Sequence, residues 1–159
     1  MTDANEILPC LIFINKEGRW FHKGTEMIHK AYIRLFYQNM TLDDQGRYLI
    51  QWAGETCYVE VEDTAFVVKR VSFDAGRESE ISRIMLTLSD DTKEALAPDT
   101  LYVGNDNVLY CRVKERCFPA RFLRSAYYQL ADHVIEEDGT YVLPMNGKTY
   151  AISNKGSKR

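Results

Sequence analysis

Two stretches of this chain carry the same pattern at a fixed spacing, and that repetition limits what the chain can fold into. Gly46, Tyr48, Gly54 and Thr56 recur as Gly139, Tyr141, Gly147 and Thr149, all at an offset of 93 residues. The acidic pair Asp43-Asp44 meets Glu136-Glu137 at the same offset. Upstream the offset is 95: Ala31, Tyr32 and Leu35 answer to Ala126, Tyr127 and Leu130, and Ile28 and Phe36 to Leu123 and Ala131. The link from helix to turn is therefore shorter in the second copy. Self-similarity at one spacing marks repeated structural units. Each copy reads as a strand (Trp20-Phe21 or Leu109-Tyr110), a helix, an acidic-glycine turn and a hairpin. A unit this small buries little surface alone. The two copies are therefore expected to pack with the intervening strands into one body, with a cleft at their seam.

Periodicity fills in the elements. After Gly24, with Thr25 as N-cap, the residues Ile28, Ala31, Tyr32, Leu35, Phe36 and Met40 fall on one helical stripe. A second helix is expected to open at Pro119, with Leu123, Ala126, Tyr127, Leu130, Ala131 and Val134 as its stripe. Strands are expected at 19–23, 48–52, 57–61, 66–73, 81–88, 100–103, 108–114, 141–143 and 149–152. Ala53-Gly54 and Asn146-Gly147 are hairpin turns. Asp74 to Ser79 and Ser89 to Glu94 read as polar connections, and Pro98-Asp99 as a turn. The fold class is α+β, mostly antiparallel strands with two main helices. The chain is expected to divide into a first repeat unit with its following strand at 12–75 and a second subdomain at 76–153, with flexible termini at 1–6 and 154–159.

Composition removes whole function classes. The 159 residues are 45% hydrophobic and 27% charged, a globular mix rather than a disordered, collagen-like or coiled-coil one. The longest apolar run, Ile7 to Ile14, falls short of the roughly 18 residues a membrane span needs, and it lacks the features of a secretory signal. No membrane span is expected, and the expected location is cytoplasmic. A net charge of −3 argues against nucleic acid as a partner. The four cysteines are expected to be reduced, with Cys10 and Cys57 as packing residues. Cys111 and Cys117, like His22, His29 and His133, have no metal-ligand spacing, so no metal or cofactor is expected. There is no glycine-rich phosphate loop, Ser-His-Asp arrangement or nucleophile elbow.

Three constellations could still carry chemistry. Arg112, Lys114 and Arg116 alternate along an expected strand, which puts them on one face, and Arg121 and Arg124 follow at the start of the second helix. Residues 112–124 hold five basic side chains against Glu115 alone, a net +4. This is either an anion pocket, helped by a helix N-terminus, or a basic face paired with acidic loops. Glu60, Glu62 and Asp63 cluster as paired carboxylates, suited to ion pairs or to acid and base work. Trp20, Tyr32 and Tyr127 stand near the expected seam, as core residues or as stacking surfaces for a base.

One run of residues points to a family. Gly18-x-Trp20, Gly24, Leu35-Phe36, Asp44-x-Gly46-x-Tyr48 and Val61-Glu62-Asp63-x-x-Phe66 resemble the bacterial domain-of-unknown-function family 1285. Phe118-Pro119-Ala120-Arg121-Phe122, Tyr127-Tyr128 and Leu130-Ala131-Asp132 resemble its second half. The resemblance spans roughly residues 12 to 152. The sequence departs from it at Ala65, where the family tends to have Pro, and at His29, where it tends to have Arg. The resemblance implies a duplicated α+β core, a second half similar to pleckstrin-homology-like folds, and a signalling role.

Together these readings favour a ligand-binding or regulatory protein over an enzyme. Its ligand would be small, anionic and nucleotide-like, held between the repeats by Trp20, His29, Glu62, Asp63, Arg112, Lys114, Arg121 and Tyr127. The alternatives are a protein-interaction module and, behind it, a hydrolase using Glu62 and Asp63.

Overall fold

The computed structural model describes residues 7–76 and 80–154. Of the ends expected to be flexible, at 1–6 and 154–159, residues 1–6 and 155–159 lie outside the described residues, as do positions 77–79 of an expected polar connection, while Asn154 belongs to a short strand. The chain divides into two compact units, the first ending at Ala65 and the second beginning at Phe66.

The first unit is a mixed sheet with one helix. Its strands are β1 (Leu8–Ile14), β2 (Trp20–His22), β3 (Thr25–Glu26), β4 (Met40–Leu42), β5 (Tyr48–Trp52) and β6 (Glu55–Val61), with α1 (Lys30–Gln38) between β3 and β4. The order across the sheet is β3-β2-β1-β6-β5-β4, and only β1 and β6 run parallel. Period-two burial assigns the faces. Ile12, Ile14, Trp20, Tyr48, Ile50 and Val59 are buried, whereas Phe13 and Glu60 on the same strands are exposed. Trp20 stacks on Phe36, centroids 6.2 Å apart, and meets the edge of Tyr37 at 4.8 Å. The Tyr37 hydroxyl, buried with its ring, donates to the Ala65 carbonyl at 2.7 Å.

Two expectations are corrected here. The helix starts at Lys30 with His29 as N-cap, not after Thr25, because Lys23 and Gly24 both take positive φ (50° and 85°) and turn β2 back into β3. Two left-handed residues in succession make the tight hairpin turn that matches strand twist. The buried side of α1 is also rotated from the expected stripe. Tyr37 is buried, while Tyr32 and, ahead of the helix, Ile28 are exposed.

The second unit holds β7 (Phe66–Ala75), β8 (Ile81–Leu88), β9 (Lys93–Ala95), β10 (Tyr102–Val103), β11 (Leu109–Val113), β12 (Phe118–Phe122), α2 (Arg124–Ala131), β13 (Ile135–Glu137), β14 (Thr140–Met145), β15 (Lys148–Ala151) and β16 (Ser153–Asn154). One sheet has the order β16-β10-β11-β12-β7-β8-β9, and β13-β14-β15 form a second. Phe66, Val68, Ile84, Leu86, Leu88, Cys111, Val113, Ala120 and Phe122 make its core, with Ala126 and Leu130 from α2. Pro119 does not open a helix. Phe118, Ala120 and Phe122 alternate inward along a strand, and Pro119 precedes the point, Ala120, where β12 begins to pair with β7. A missing N–H is tolerated at such a strand start.

The order of elements recurs in the two units. Each has a hairpin, a helix and a three-stranded antiparallel meander: β2-β3, α1, β4-β5-β6, and β11-β12, α2, β13-β14-β15. The repeated glycines serve the same purpose. Ala53-Gly54 have φ of 53° and 82°, and Asn146-Gly147 have 56° and 77°. The expected shortening between helix and turn is not seen, since residues 39–45 separate α1 from Gly46 and residues 132–138 separate α2 from Gly139. The turns themselves differ, residues 43–47 joining β4 to β5 and Asp138-Gly139 alone joining β13 to β14.

The cysteine expectation is corrected as well. Cys10 and Cys57 form a disulfide between β1 and β6, Cα atoms 5.0 Å apart. The spacing of 47 residues hid this pairing; it is created by the parallel register that sets Leu8 opposite Cys57. Cys111 is a buried free thiol and Cys117 an exposed one. No helix among the described residues is long and apolar enough to cross a membrane.

Candidate functional site

The basic cluster comes together at the β11–β12 turn, although not as one strand face. β11 stops at Val113, and Lys114, Glu115 and Arg116 follow with φ of 55°, 57° and 66°. Left-handed geometry is disfavoured for side chains with a Cβ, and dense local bonding holds it here. Arg112 Nε donates to the Arg116 carbonyl at 2.8 Å and its Nη2 to the Cys117 carbonyl at 3.2 Å. Lys114 Nζ lies 2.8 Å from an Asp90 carboxylate oxygen and donates to Thr92 Oγ1 at 2.8 Å, above the Phe66 ring. The Lys114 amide donates to the Glu94 carboxylate. Arg116 forks onto both oxygens of Asp99, at 2.6 and 3.0 Å. That pair holds the Asp99 carboxyl below its ordinary range and raises the Arg116 guanidinium, chiefly through the hydrogen bond itself.

The remaining expected residues divide between the units. Arg121, on β12 opposite Tyr110, is half-buried, and Tyr127, on α2, meets the edge of Tyr128. Trp20 is 1% exposed in the first core, with no hydrogen-bond partner for its indole N–H. His29 caps α1 through its carbonyl, which accepts from the Tyr32 and Ile33 amides. Glu62 accepts the Lys16 amide at 2.9 Å, tying the β1–β2 turn, and Asp63 is half-buried just beyond it. Glu60 belongs to β6, whereas Glu62 and Asp63 follow its end at Val61. Among the described residues no three His, Cys, Asp or Glu side chains are grouped to hold a metal ion. The Cys111 thiol is pushed far above its ordinary range by burial, and then by Glu94, which removes its nucleophilicity.

Sequence reasoning missed a cavity on the outer face of the first sheet. It has a volume of about 450 Å³ and is lined by Pro9, Leu11, Ile12, Phe13, Phe21, Lys23, Gly24, Tyr58 and Glu60. Phe13 and Phe21 are cross-strand partners with ring centroids 6.2 Å apart. The hollow arises from the β1–β6 register. Between Pro9↔Tyr58 and Phe13↔Glu60, β1 spends four steps where β6 spends two, and Leu11 in that bulge has φ of 64°. Neither Lys23 nor Glu60 forms an ion pair with a described residue. The unbroken apolar run Leu8 to Ile14 was the available signal, since a strand with one solvated face should alternate.

Two solved structures share this architecture. A DUF1285 family protein from Silicibacter pomeroyi DSS-3 superposes with a TM-score of 0.76 at 21% identity, covering 94% of this chain and 81% of that one. A DUF1285 family protein from Shewanella baltica OS155 superposes with a TM-score of 0.62 at 22% identity, covering 77% of this chain and 91% of that one. The fold is that of the DUF1285 proteins. No family model and no curated protein matches the chain. The DUF1285 architecture thus agrees with the resemblance read from Gly18-x-Trp20 and Phe118 to Phe122, and those motifs now have structural reasons. Trp20 is the core of the first unit, and Phe118-x-Ala120-x-Phe122 is an inward-facing strand of the second.

Proposed function

We propose that the protein is a binding module for a small organic anion with an apolar body, held in the cavity of the first unit. The observation that carries this reading is the cavity's makeup: an apolar floor of Phe13, Phe21, Leu11 and Tyr58 beside Lys23, which has no ion-pair partner among the described residues. Ligand sites are mostly apolar hollows of roughly 300–1,000 Å³ with a few polar groups that fix orientation. Lys23 supplies one positive charge, which suits a monocarboxylate or monosulfonate better than a polyphosphate. Glu60 at the same cavity accepts a hydroxyl or amine from the ligand. The cations of the second unit are weaker candidates, since Lys114 and Arg116 are neutralised by Asp90 and Asp99 and two nitrogens of the Arg112 guanidinium already donate to backbone carbonyls.

Isothermal titration with aromatic monocarboxylates, nucleotides and inorganic phosphate tests the reading. Aromatic monocarboxylates are expected to bind, with Lys23→Ala weakening them about tenfold or more and Arg121→Ala leaving them unchanged. Nucleotide binding lost in Arg121→Ala but kept in Lys23→Ala moves the site to the second unit and refutes the proposal.

A further inference from the structure

We infer that the Cys10–Cys57 disulfide is a redox gate on the first-unit cavity, closed to a binding-competent shape when oxidised and relaxed when reduced. The inference rests on the cavity being a ligand site. Its physical basis is where the cross-link sits. Cys10 stands between two cavity-lining residues, Pro9 and Leu11, and Cys57 is followed by a third, Tyr58. Cys10 lies where register is lost, between Pro9↔Tyr58 and Phe13↔Glu60, and the bond ties it to Cys57 in the regular ladder just before the break. Just beyond Cys10, Leu11 takes a left-handed conformation that is a genuine outlier for a bulky residue. Such conformations persist only where the surroundings over-determine them.

The same bulge positions the cation. The Leu11 carbonyl accepts the Lys23 amide at 3.0 Å, so the β2–β3 turn that carries Lys23 is anchored on the residue next to Cys10. One covalent bond therefore fixes three walls of the cavity directly and its charge through one hydrogen bond. Without it, β1 remains held by its β2 ladder from Ile12 to Ile14, while the segment from Leu8 to Leu11 keeps its short parallel pairing with β6 and the single hydrogen bond from the Lys23 amide. Leu11 can then leave its disfavoured geometry, and the hollow loses its shape.

The chemistry is ordinary thiol–disulfide exchange. A dithiol's thiolate attacks one sulfur of the pair and releases the other cysteine as a thiolate, which takes up a proton. The dithiol's second thiol then displaces the first cysteine. Two cysteine thiols form, and the dithiol leaves as its own disulfide. Cys10 and Cys57 are both half-exposed, so a small dithiol reaches them. An oxidising compartment keeps the pair closed and a reducing one opens it.

The test follows anilinonaphthalene sulfonate, an aromatic monoanion of the proposed ligand class, by fluorescence titration. It compares oxidised wild type, wild type after dithiothreitol and re-oxidised wild type, with circular dichroism as the folding control. Reduction is expected to weaken binding by at least about fivefold and re-oxidation to restore it. Cys10→Ser/Cys57→Ser is expected to bind weakly and to ignore the reductant. Hydrogen exchange read in parallel, without any ligand, is expected to speed up at the Lys23 amide, whose acceptor is the Leu11 carbonyl, on reduction. Equal affinity in both redox states, with Lys23→Ala still weakening binding, overturns the gate and leaves the cavity as the site. Binding indifferent to Lys23→Ala refutes the cavity reading and the gate with it. Unchanged exchange at the Lys23 amide rejects the gate whatever the titration shows.

Discussion

Removing the disulfide should lower stability by an amount set mainly by the loop it closes. Cys10 and Cys57 lie 47 residues apart, so an unfolded chain that keeps the bond loses the conformations of a loop of that length. The chain-entropy relation puts the loss at about 4 kcal/mol at 25 °C. That is a large fraction of the roughly 5–15 kcal/mol by which a domain is stable. For a chain of 159 residues melting as one unit, at about 2–4 °C per kcal/mol, the midpoint should fall by about 8–16 °C. The perturbation is Cys10→Ser/Cys57→Ser, and reduction of the wild type by dithiothreitol should give a shift of the same size without any substitution. The assay is thermal unfolding followed by circular dichroism, with thiols counted on unfolded, non-reduced protein. Two should react, Cys111 and Cys117, and in the native state only exposed Cys117 should do so quickly. Four reactive thiols before reduction, or a midpoint shift below about 2 °C, would refute the reasoning, because the first removes the cross-link and the second removes its loop-entropy effect.

The duplicated turns supply an internal comparison. Asn146-Gly147 and Ala53-Gly54 have the same left-handed backbone, yet only the second copy uses a residue suited to it, so Ala53→Asn should stabilise by about 0.5–1 kcal/mol in urea unfolding. Gly147→Ala should cost about 1 kcal/mol through backbone strain alone, since an added Cβ there meets nothing within 4 Å; a neutral result would mean that the turn is not left-handed. Asp99→Asn should cost no more than about 1 kcal/mol at neutral pH, because the Arg116 pair is solvent-exposed. The Asp99 carboxyl is held below its ordinary value of 3.8, so the pair stabilises above that pH and the contribution fades as pH falls through the lowered value. Wild type and Asp99→Asn should therefore converge in acid, and a gap that widens there would reverse the assignment.

Much of the architecture was legible because the repeat combined two independent signals. The constant offset located the turns, and the positive φ that glycine tolerates explains why Gly46, Gly54, Gly139 and Gly147 stayed in place. Helix boundaries were less legible because the punctuation was ambiguous. Pro119 is acceptable both in a first helical turn and at a strand start, and the period-two burial of Phe118, Ala120 and Phe122 decides between them. Gly24-Thr25 reads equally as a helix entrance and as the end of a tight hairpin, and the pairing of Phe21 with Glu26 makes it the hairpin.

The site was hidden for a different reason. Charge counting found the cations of residues 112–124 but not Asp90 and Asp99, the carboxylates that meet them, which lie 24 and 17 residues before Lys114 and Arg116. A local net charge says nothing about partners brought in by strand pairing, so the most basic segment became a closed ion-pair cluster. The cavity shows the reverse. Lys23 and Glu60 are unremarkable in sequence, yet they have no ion-pair partner among the described residues and sit against an apolar face at a register shift between two distant strands. The uninterrupted run from Leu8 to Ile14 recorded that face as a missing alternation. If the proposed ligand reading holds, an apolar strand that fails to alternate is a better pointer to the site in this α+β chain than an excess of charge. The reason is physical: exposed apolar area has no partner within the fold, whereas a surface charge commonly finds one.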